Sequence, residues 1–426
     1  MQHAASTGDV QTVIKGLSAG KDVNMVDAAG RPLLAIAAER GQLAIIRELV
    51  SRGADLEKKD SRGMTPLFIA AGYNQLPAVQ ELVVAGAAIE SRNTDLEFTP
   101  LMPAAESGYN AVVDYLLSKG ADAAARSSDG QTALSRLAWV NARTSQSNNV
   151  GTAQLLLGNL RAKLSKKAFA DYVNHPDVTG MTPLHRAAGS NNAEIITFLL
   201  QNGASPNATA RVPAGAEEMA SAAEVSAFAQ PTAAPGMLSA FLPKLQQTLA
   251  AGKREMPAES APEPAPAAAV IDNWTPILSA TRHCQQSEAS VAALLAGGAN
   301  PVARASNGRT TLQTLAECAT GDTGPVVKLV IDKARSKSST VEFRKFVNEP
   351  DDATGRSPLL SAVVRNQPET TRLLLAAGAS PNSTSKDGQA PLHVALEAGS
   401  HDVARHLLAA GANPEQPNAM GLNPLY

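Results

Sequence analysis

Residues 180–203 read GMTPLHRAAGSNNAEIITFLLQNG and contain the pattern that decides the fold. A glycine begins the stretch, a threonine and a proline follow, two alanines come next, and a pair of leucines precedes the last glycine. Proline is tolerated in the first turn of a helix, and the threonine before it can cap that turn. The final glycine supplies the left-handed conformation that ends many helices. The stretch therefore predicts two short helices joined by a turn.

The pattern recurs along the chain with a base period of 33 residues, as between Pro358, Pro391 and Pro424. Three intervals are longer, by 17, 60 and 14 residues. A single helix pair of this kind cannot bury its apolar face alone, so consecutive pairs must stack. When the repeats are aligned on their proline, the aligned position, called the proline column, contains Leu33, Pro66, Pro100, Ala133, Pro183, Pro276, Thr311, Pro358, Pro391 and Pro424.

These units resemble ankyrin repeats, because the elements G-x-T-P-L-H, A-A-x-x-G and L-L-x-x-G-A-x-x-N recur together. The resemblance implies an all-α, right-handed solenoid of stacked helix-turn-helix units with short β-finger turns. It covers residues 1–207, as a partial N-terminal repeat and about five full repeats, and residues 272–426, as about four full repeats and a truncated last one. Residues 208–271 separate the two parts.

The separating segment is rich in alanine, proline, serine and glutamate, which is typical of an extended linker. Residues 237–249 also place apolar side chains at roughly helical spacing, interrupted by Pro243. Two interpretations stay open: a flexible tether, which the composition favours, and a short amphipathic helix that gates the repeat surface.

The two shorter insertions occupy equivalent places in a duplicated block, since residues 98–188 resemble residues 274–362. Both predict an extended second helix with a basic surface. That surface is interpreted as a solvated helix face, with docking of an acidic partner as the alternative. Its basic residues are Lys163, Lys166, Lys167, Lys333, Arg335 and Lys337.

Composition excludes several classes of function. The chain has 37 lysines and arginines against 39 acidic residues, a formal charge of −2, which argues against nucleic acid as a partner. No apolar run approaches the ~20 residues that a membrane helix needs. No motif of a catalytic or metal site is present, so we expect no enzyme activity, cofactor or metal. The first ten residues lack a secretory signal; we expect a soluble, cytoplasmic protein, or a secreted or periplasmic one if a signal was removed.

The two cysteines, Cys284 and Cys318, both fall near the end of a first helix in adjacent repeats. Stacked helices lie ~8–10 Å apart, whereas a disulfide needs Cα atoms within ~7 Å. This spacing favours two free thiols, and a disulfide requires a local adjustment of the chain.

The resemblance implies that the turn tips and the exposed side of the first helices form a concave face that binds a partner. We predict a monomeric, non-catalytic scaffold, adaptor or inhibitor that recognises a protein or peptide there. The alternative is the targeting region of a larger enzyme or of a secreted bacterial effector. The candidate partner-binding residues are Arg31, Met64, Tyr73, Phe98, Trp139, Met181, Trp274, Arg309, Arg356 and Arg365.

Overall fold

The computed structural model describes residues 1–139, 149–213, 270–318, 323–417, 421 and 423. Residues 1–212 and 271–426 form one compact unit, and residues 213–270 form a second. The second unit lies almost wholly outside the described residues, and with it the predicted linker and the predicted amphipathic helix.

The first unit consists of helix pairs, as the repeat pattern predicts. The first helices of the pairs are α1 (Gln2–Thr7), α3 (Leu33–Glu39), α5 (Pro66–Gly72), α7 (Leu101–Glu106), α9 (Ala133–Trp139), α12 (Pro183–Gly189), α14 (Pro276–Thr281), α16 (Thr311–Ala316), α19 (Pro358–Val364) and α21 (Pro391–Glu397). The second helices are α2 (Val10–Ser18), α4 (Leu43–Ser51), α6 (Leu76–Val84), α8 (Asn110–Ser118), α10 (Asn149–Lys163), α13 (Ala193–Gln201), α15 (Glu288–Ala296), α17 (Gly324–Lys337), α20 (Pro368–Ala376) and α22 (His401–Ala409).

The residue before the proline column caps several first helices. The hydroxyl oxygen of Thr65 accepts from the N–H of Phe68 at 3.3 Å, and that of Ser357 accepts from the N–H of Leu360 at 3.3 Å. The glycine predicted after the second helix has a left-handed backbone, as at Gly203 with φ 93°. Both local predictions are confirmed at these positions.

Each first helix packs against the first helix of the next repeat, and the second helices pack in the same order. Small side chains make this stacking close, since Ala70 and Ala71 are fully buried between neighbouring helices. Paired aliphatic residues on the second helices, such as Leu82, complete the core. The all-α ankyrin-type architecture is therefore confirmed, with stability supplied by contacts between nearest neighbours.

The turns between pairs form fingers that are hydrogen-bonded to one another. The N–H of Ser128 donates to the carbonyl of Leu96 at 2.9 Å, and that of Lys386 donates to the carbonyl of Thr354 at 2.9 Å. One finger contains the paired strands β1 (Ala210–Pro213) and β2 (Val270–Trp274). The longest insertion thus leaves and re-enters the stack through a finger.

The repeats on either side of that insertion stack directly on each other. Helix α12 packs against α14, and the Nε2 atom of His185 lies 2.9 Å from the carbonyl oxygen of Trp274. The Nδ1 atom of His185 accepts from the N–H of Thr182 at 3.2 Å. Burial lowers the pKa of His185 to about 4, so the imidazole is neutral at pH 7. A neutral histidine therefore joins two repeats that are distant in sequence.

The two shorter insertions form more than the extended helix that was predicted. Helices α10 and α17 are longer than the other second helices, but each ends before a serine that caps a separate helix, α11 (Lys166–Val173) and α18 (Thr340–Asn348). The copies match in detail, since Arg161 lies over the ring of Phe169 at 4.8 Å and Arg335 over that of Phe343 at 5.1 Å. This agreement supports the duplication.

The cysteines form a disulfide in the structure, with the Cα atoms of Cys284 and Cys318 5.8 Å apart. The expectation of free thiols is therefore corrected. It assumed the spacing of two regular helices, but Cys284 lies just after α14 and has a left-handed backbone with φ 57°. This turn begins a 3₁₀ helix (Cys284–Ser287) and brings the two chain segments closer than stacked helices would be.

Thiol counting in denaturant tests this pairing. We expect no reactive thiol without reductant and two after reduction, since the chain contains two cysteines. The Cys318→Ser variant is the control, because it leaves one thiol that should react under both conditions. Two reactive thiols in the unreduced wild-type chain would contradict the disulfide.

Candidate functional site

The exposed surface of the fingers and first helices has a regular register. In two repeats, the residue after the finger glycine forms an ion pair with the residue eight positions later, at the end of the first helix. Arg31 and Glu39 form an ion pair at 3.2 Å, and Arg309 and Glu317 form one at 2.9 Å. We call the surface formed by these finger residues and first-helix ends the inner face.

Charges at the N-terminal end of the inner face are paired within the chain. The Nε atom of Arg31 lies 2.8 Å from a carboxylate oxygen of Asp27. Burial acts to raise the pKa of Asp27, but the backbone N–H and the guanidinium of Arg31 outweigh it and lower that pKa below its ordinary value. Burial and the charge of Glu39 raise the pKa of Tyr73. Tyr73 therefore presents a neutral hydroxyl beside this network.

The middle of the inner face carries two aromatic–arginine clusters. In the first, the guanidinium of Arg136 lies 4.8 Å from the ring centre of Phe98 and 2.6 Å from a carboxylate oxygen of Glu106. The side chain of Arg136 is only 13% exposed. A guanidinium over an aromatic face is attracted by the ring, and the carboxylate balances its charge. Phe98 is thereby held in one position.

The second cluster, one unit further along, has the same three kinds of residue, but here the ring is at a helix end and the carboxylate is in a finger. The guanidinium of Arg186 lies 5.0 Å from the ring centre of Trp139, and its Nε atom donates to Asp177 at 3.0 Å. The same carboxylate accepts from the N–H of Thr179 at 2.8 Å. The finger and the first helix are thus tied together beneath the ring. Both aromatic side chains are half-buried, so each ring stays partly accessible.

The structure places most predicted binding residues on the inner face. Eight of them are at least partly accessible: Arg31, Tyr73, Phe98, Trp139, Met181, Arg309, Arg356 and Arg365. These positions stay predictions as binding residues.

Met64 and Trp274 are different, since they are 5% and 1% exposed. Their assignment to an accessible surface is wrong. Trp274 packs with Val212 and Ile271 of the two strands, and its Nε1 atom donates to the hydroxyl of Ser279 at 2.9 Å. The sequence interpretation assumed that a large side chain at a finger points outward, but here the paired strands cover it.

Sequence reasoning missed the residues that hold the aromatic rings. Arg136 and Arg186 occupy the third position after the proline column, where the first two repeats have Ile36 and Ile69. An arginine at a position that is elsewhere apolar was a usable signal. Their partners Glu106 and Asp177 could not be chosen from sequence, because the pairing depends on how finger and helix pack.

The described residues contain no group of three or more histidines, cysteines, aspartates or glutamates that could hold a metal ion. Within the same residues, no helix is long and apolar enough to cross a membrane. The chemistry visible on the inner face is hydrogen bonding, ion pairing and aromatic packing.

Stacked helix pairs joined by hydrogen-bonded fingers define the chain as a helical-repeat protein of the solenoid class. A family model described as ankyrin repeats in three copies matches residues 1–93, 73–168, 101–210 and 319–418. These spans cover more than half of the chain, and the chain belongs to the ankyrin-repeat family. No curated protein matches the chain.

The family matches leave residues 211–318 uncovered. In the structure, helices α14, α15 and α16 in this span continue the stack. The helices described in residues 276–316 therefore have the same packing as the helices of the matched parts.

Proposed function

We propose that this chain is a non-catalytic scaffold, adaptor or inhibitor that binds a protein or peptide partner on its inner face as a monomer. Ankyrin repeats are general protein–protein interaction modules. The observation that carries the proposal for this chain is the pair of aromatic–arginine clusters. In adjacent repeats, the partly accessible rings of Phe98 and Trp139 each pack against the arginine of a largely buried ion pair.

This arrangement suits recognition because little freedom is lost on binding. Ordering a side chain at an interface costs about 0.5–1.5 kcal/mol, and rings already fixed by packing avoid much of that cost. Aromatic residues and arginines are also enriched among the residues that dominate binding energy. Since the ion pairs beneath the rings are internally satisfied, the partner is expected to contact mainly the accessible ring surfaces.

Selection of random peptides displayed on phage against the full chain tests the proposal. For the selected peptides, we expect Phe98→Ala to weaken binding by about 1–2 kcal/mol, or roughly tenfold. Isothermal titration with the synthetic peptides gives the affinities, and circular dichroism gives the melting temperature.

The matched control is Phe198→Ala, because Phe198 is also half-buried but lies on the second helix α13, away from the inner face. Its affinity should equal that of the wild-type chain. Equal affinity losses in the two variants would show that Phe98 is not a binding residue. The absence of any selected peptide would contradict the proposed function itself.

A further inference from the structure

Three repeats place an arginine directly after the finger glycine: Arg31, Arg309 and Arg356. In the first two, the residue eight positions later is a glutamate, and it pairs with the arginine at 3.2 and 2.9 Å. In the third, that position is Val364, which is 37% exposed. The glutamate that pairs with the arginine in two repeats is therefore absent from the third.

The other acidic partner is missing at Arg356 as well. Asp27 lies 2.8 Å from the Nε atom of Arg31, but the finger of Arg356 has a different arrangement. The carboxylate of Asp351 accepts from the backbone N–H groups of Thr354 and Arg356, at 2.7 and 3.0 Å, and does not bind the guanidinium.

The next acidic residue, Asp352, is also directed elsewhere, since it pairs with Arg304 at 2.9 Å. In the preceding repeat, Glu317 is engaged by Arg309. Neither aspartate of this finger, nor the nearest inner-face glutamate before it, therefore pairs with Arg356. In the next finger, the hydroxyl of Ser385 donates to Asp387 and lowers the pKa of that carboxyl, and the charge of Arg356 adds to the lowering without forming an ion pair among the described residues.

Arg356 is left with a neutral partner and an orphaned donor. Its Nη2 atom donates to the side-chain oxygen of Gln389 at 3.1 Å, while its Nε atom is buried and has no hydrogen-bond partner among the described residues. A buried donor without an acceptor is costly, and more so when it is charged. Beyond Val364, the exposed Arg365 adds a second positive charge at the end of α19.

We infer that this part of the inner face binds a carboxylate supplied by the partner. The occupant is the side chain of a glutamate or aspartate in an acidic peptide segment, placed beside Val364, where Glu39 and Glu317 lie in their own repeats. The inference rests on the proposed function and adds the chemistry of the partner. Charge complementarity supports it, since the Nε atom of Arg356 has no acceptor among the described residues and the exposed Arg365 adds a second positive charge at the end of α19.

The Val364→Glu variant tests the inference by providing the missing carboxylate within the chain. Random peptides displayed on phage are selected against the full wild-type chain, and the selected pool is expected to be enriched in glutamate and aspartate. For an acidic peptide from that pool, Val364→Glu should raise the Kd by about tenfold or more, the effect of removing a charged hydrogen bond. Changing the peptide's critical glutamate to glutamine should have a similar effect, and the two changes together should not add.

Val84→Glu is the matched control. Val84 is also the last residue of a helix and 79% exposed, but it lies on the second helix α6. This variant should bind within about twofold of the wild-type chain, and thermal melting should show both variants folded. Equal losses in the two variants, or a selected pool without acidic enrichment, would overturn the inference while leaving the proposed function intact. If no peptide is selected at all, both fail.

Discussion

The Trp274→Ala variant is expected to be about 3–5 kcal/mol less stable than the wild-type chain, the usual cost of removing a large buried aromatic side chain. Trp274 is 1% exposed and packs with Val212, Ile271, Leu278 and Ala305. Truncation would leave a cavity in this small core and would also leave the hydroxyl of Ser279 without the indole donor. Urea unfolding followed by far-ultraviolet circular dichroism gives the change in the free energy of unfolding.

The effect should be largest in the repeats around the long insertion. Stability in a repeat stack is a sum of repeat and neighbour terms, so weakening one junction can separate the unfolding of the two sides. The control is Trp139→Ala, which removes the chain's other tryptophan. Trp139 is only half-buried, so its loss should cost less. A loss at Trp274 no larger than that at Trp139 would show that the strand-covered core contributes little.

The architecture was predictable because each repeat contains its own local signals. The hydroxyl of Thr65 accepts from the N–H of Phe68, three residues later, and so caps the helix that begins at Pro66. Gly86, with a left-handed backbone, ends the helix pair. All of these act within one repeat, so they can be read without knowing the neighbours. The stacking then follows, since each pair exposes an apolar face that only another pair can cover.

The burial of Trp274 was not predictable for the opposite reason. The strand residue Val212 that helps to cover it lies on the far side of the longest insertion, and no local pattern indicates that β1 pairs with β2. The disulfide was mispredicted in a similar way, because the left-handed backbone of Cys284 is unusual for a residue other than glycine. In both cases the outcome depends on chain geometry that repeat alignment does not contain.

The inner face has a part that was predictable from the sequence and a part that was not. The positions of its residues were predictable, because aligned repeats place the finger residue and the helix end in the same columns. Which charges remain for a partner was not predictable. Both Asp27 and Asp351 accept from backbone N–H groups of their own fingers, but Asp27 also pairs with the guanidinium of Arg31, whereas Asp351 does not pair with that of Arg356. The finger of Arg356 has one more residue between its aspartate and its arginine than the finger of Arg31 has. The charges available on the inner face therefore differ between otherwise equivalent turns.

Lowering the pH from 6.5 to about 4 is expected to destabilise the chain through His185. Burial lowers the pKa of this imidazole from 6.5 to about 4 in the folded chain. Between these values the unfolded state binds a proton that the folded state does not, so the free energy of unfolding falls as the pH falls. The stabilisation is fully present above pH 6.5, and its loss by pH 4 is on the order of 3 kcal/mol. Urea unfolding at several pH values measures it.

His185→Gln should be less stable at pH 7, because glutamine cannot reproduce both contacts of the imidazole, to Thr182 and to the carbonyl of Trp274. Its stability should nevertheless depend less steeply on pH between 6.5 and 4, because the proton uptake of His185 is gone. Burial also lowers the pKa values of His175 and His283, which leaves a smaller slope in the variant. His3→Gln, at an exposed residue on α1, is the control and should keep the wild-type slope. An unchanged slope in His185→Gln would contradict the lowered pKa, because it would mean that the folded and unfolded states bind a proton at His185 equally well.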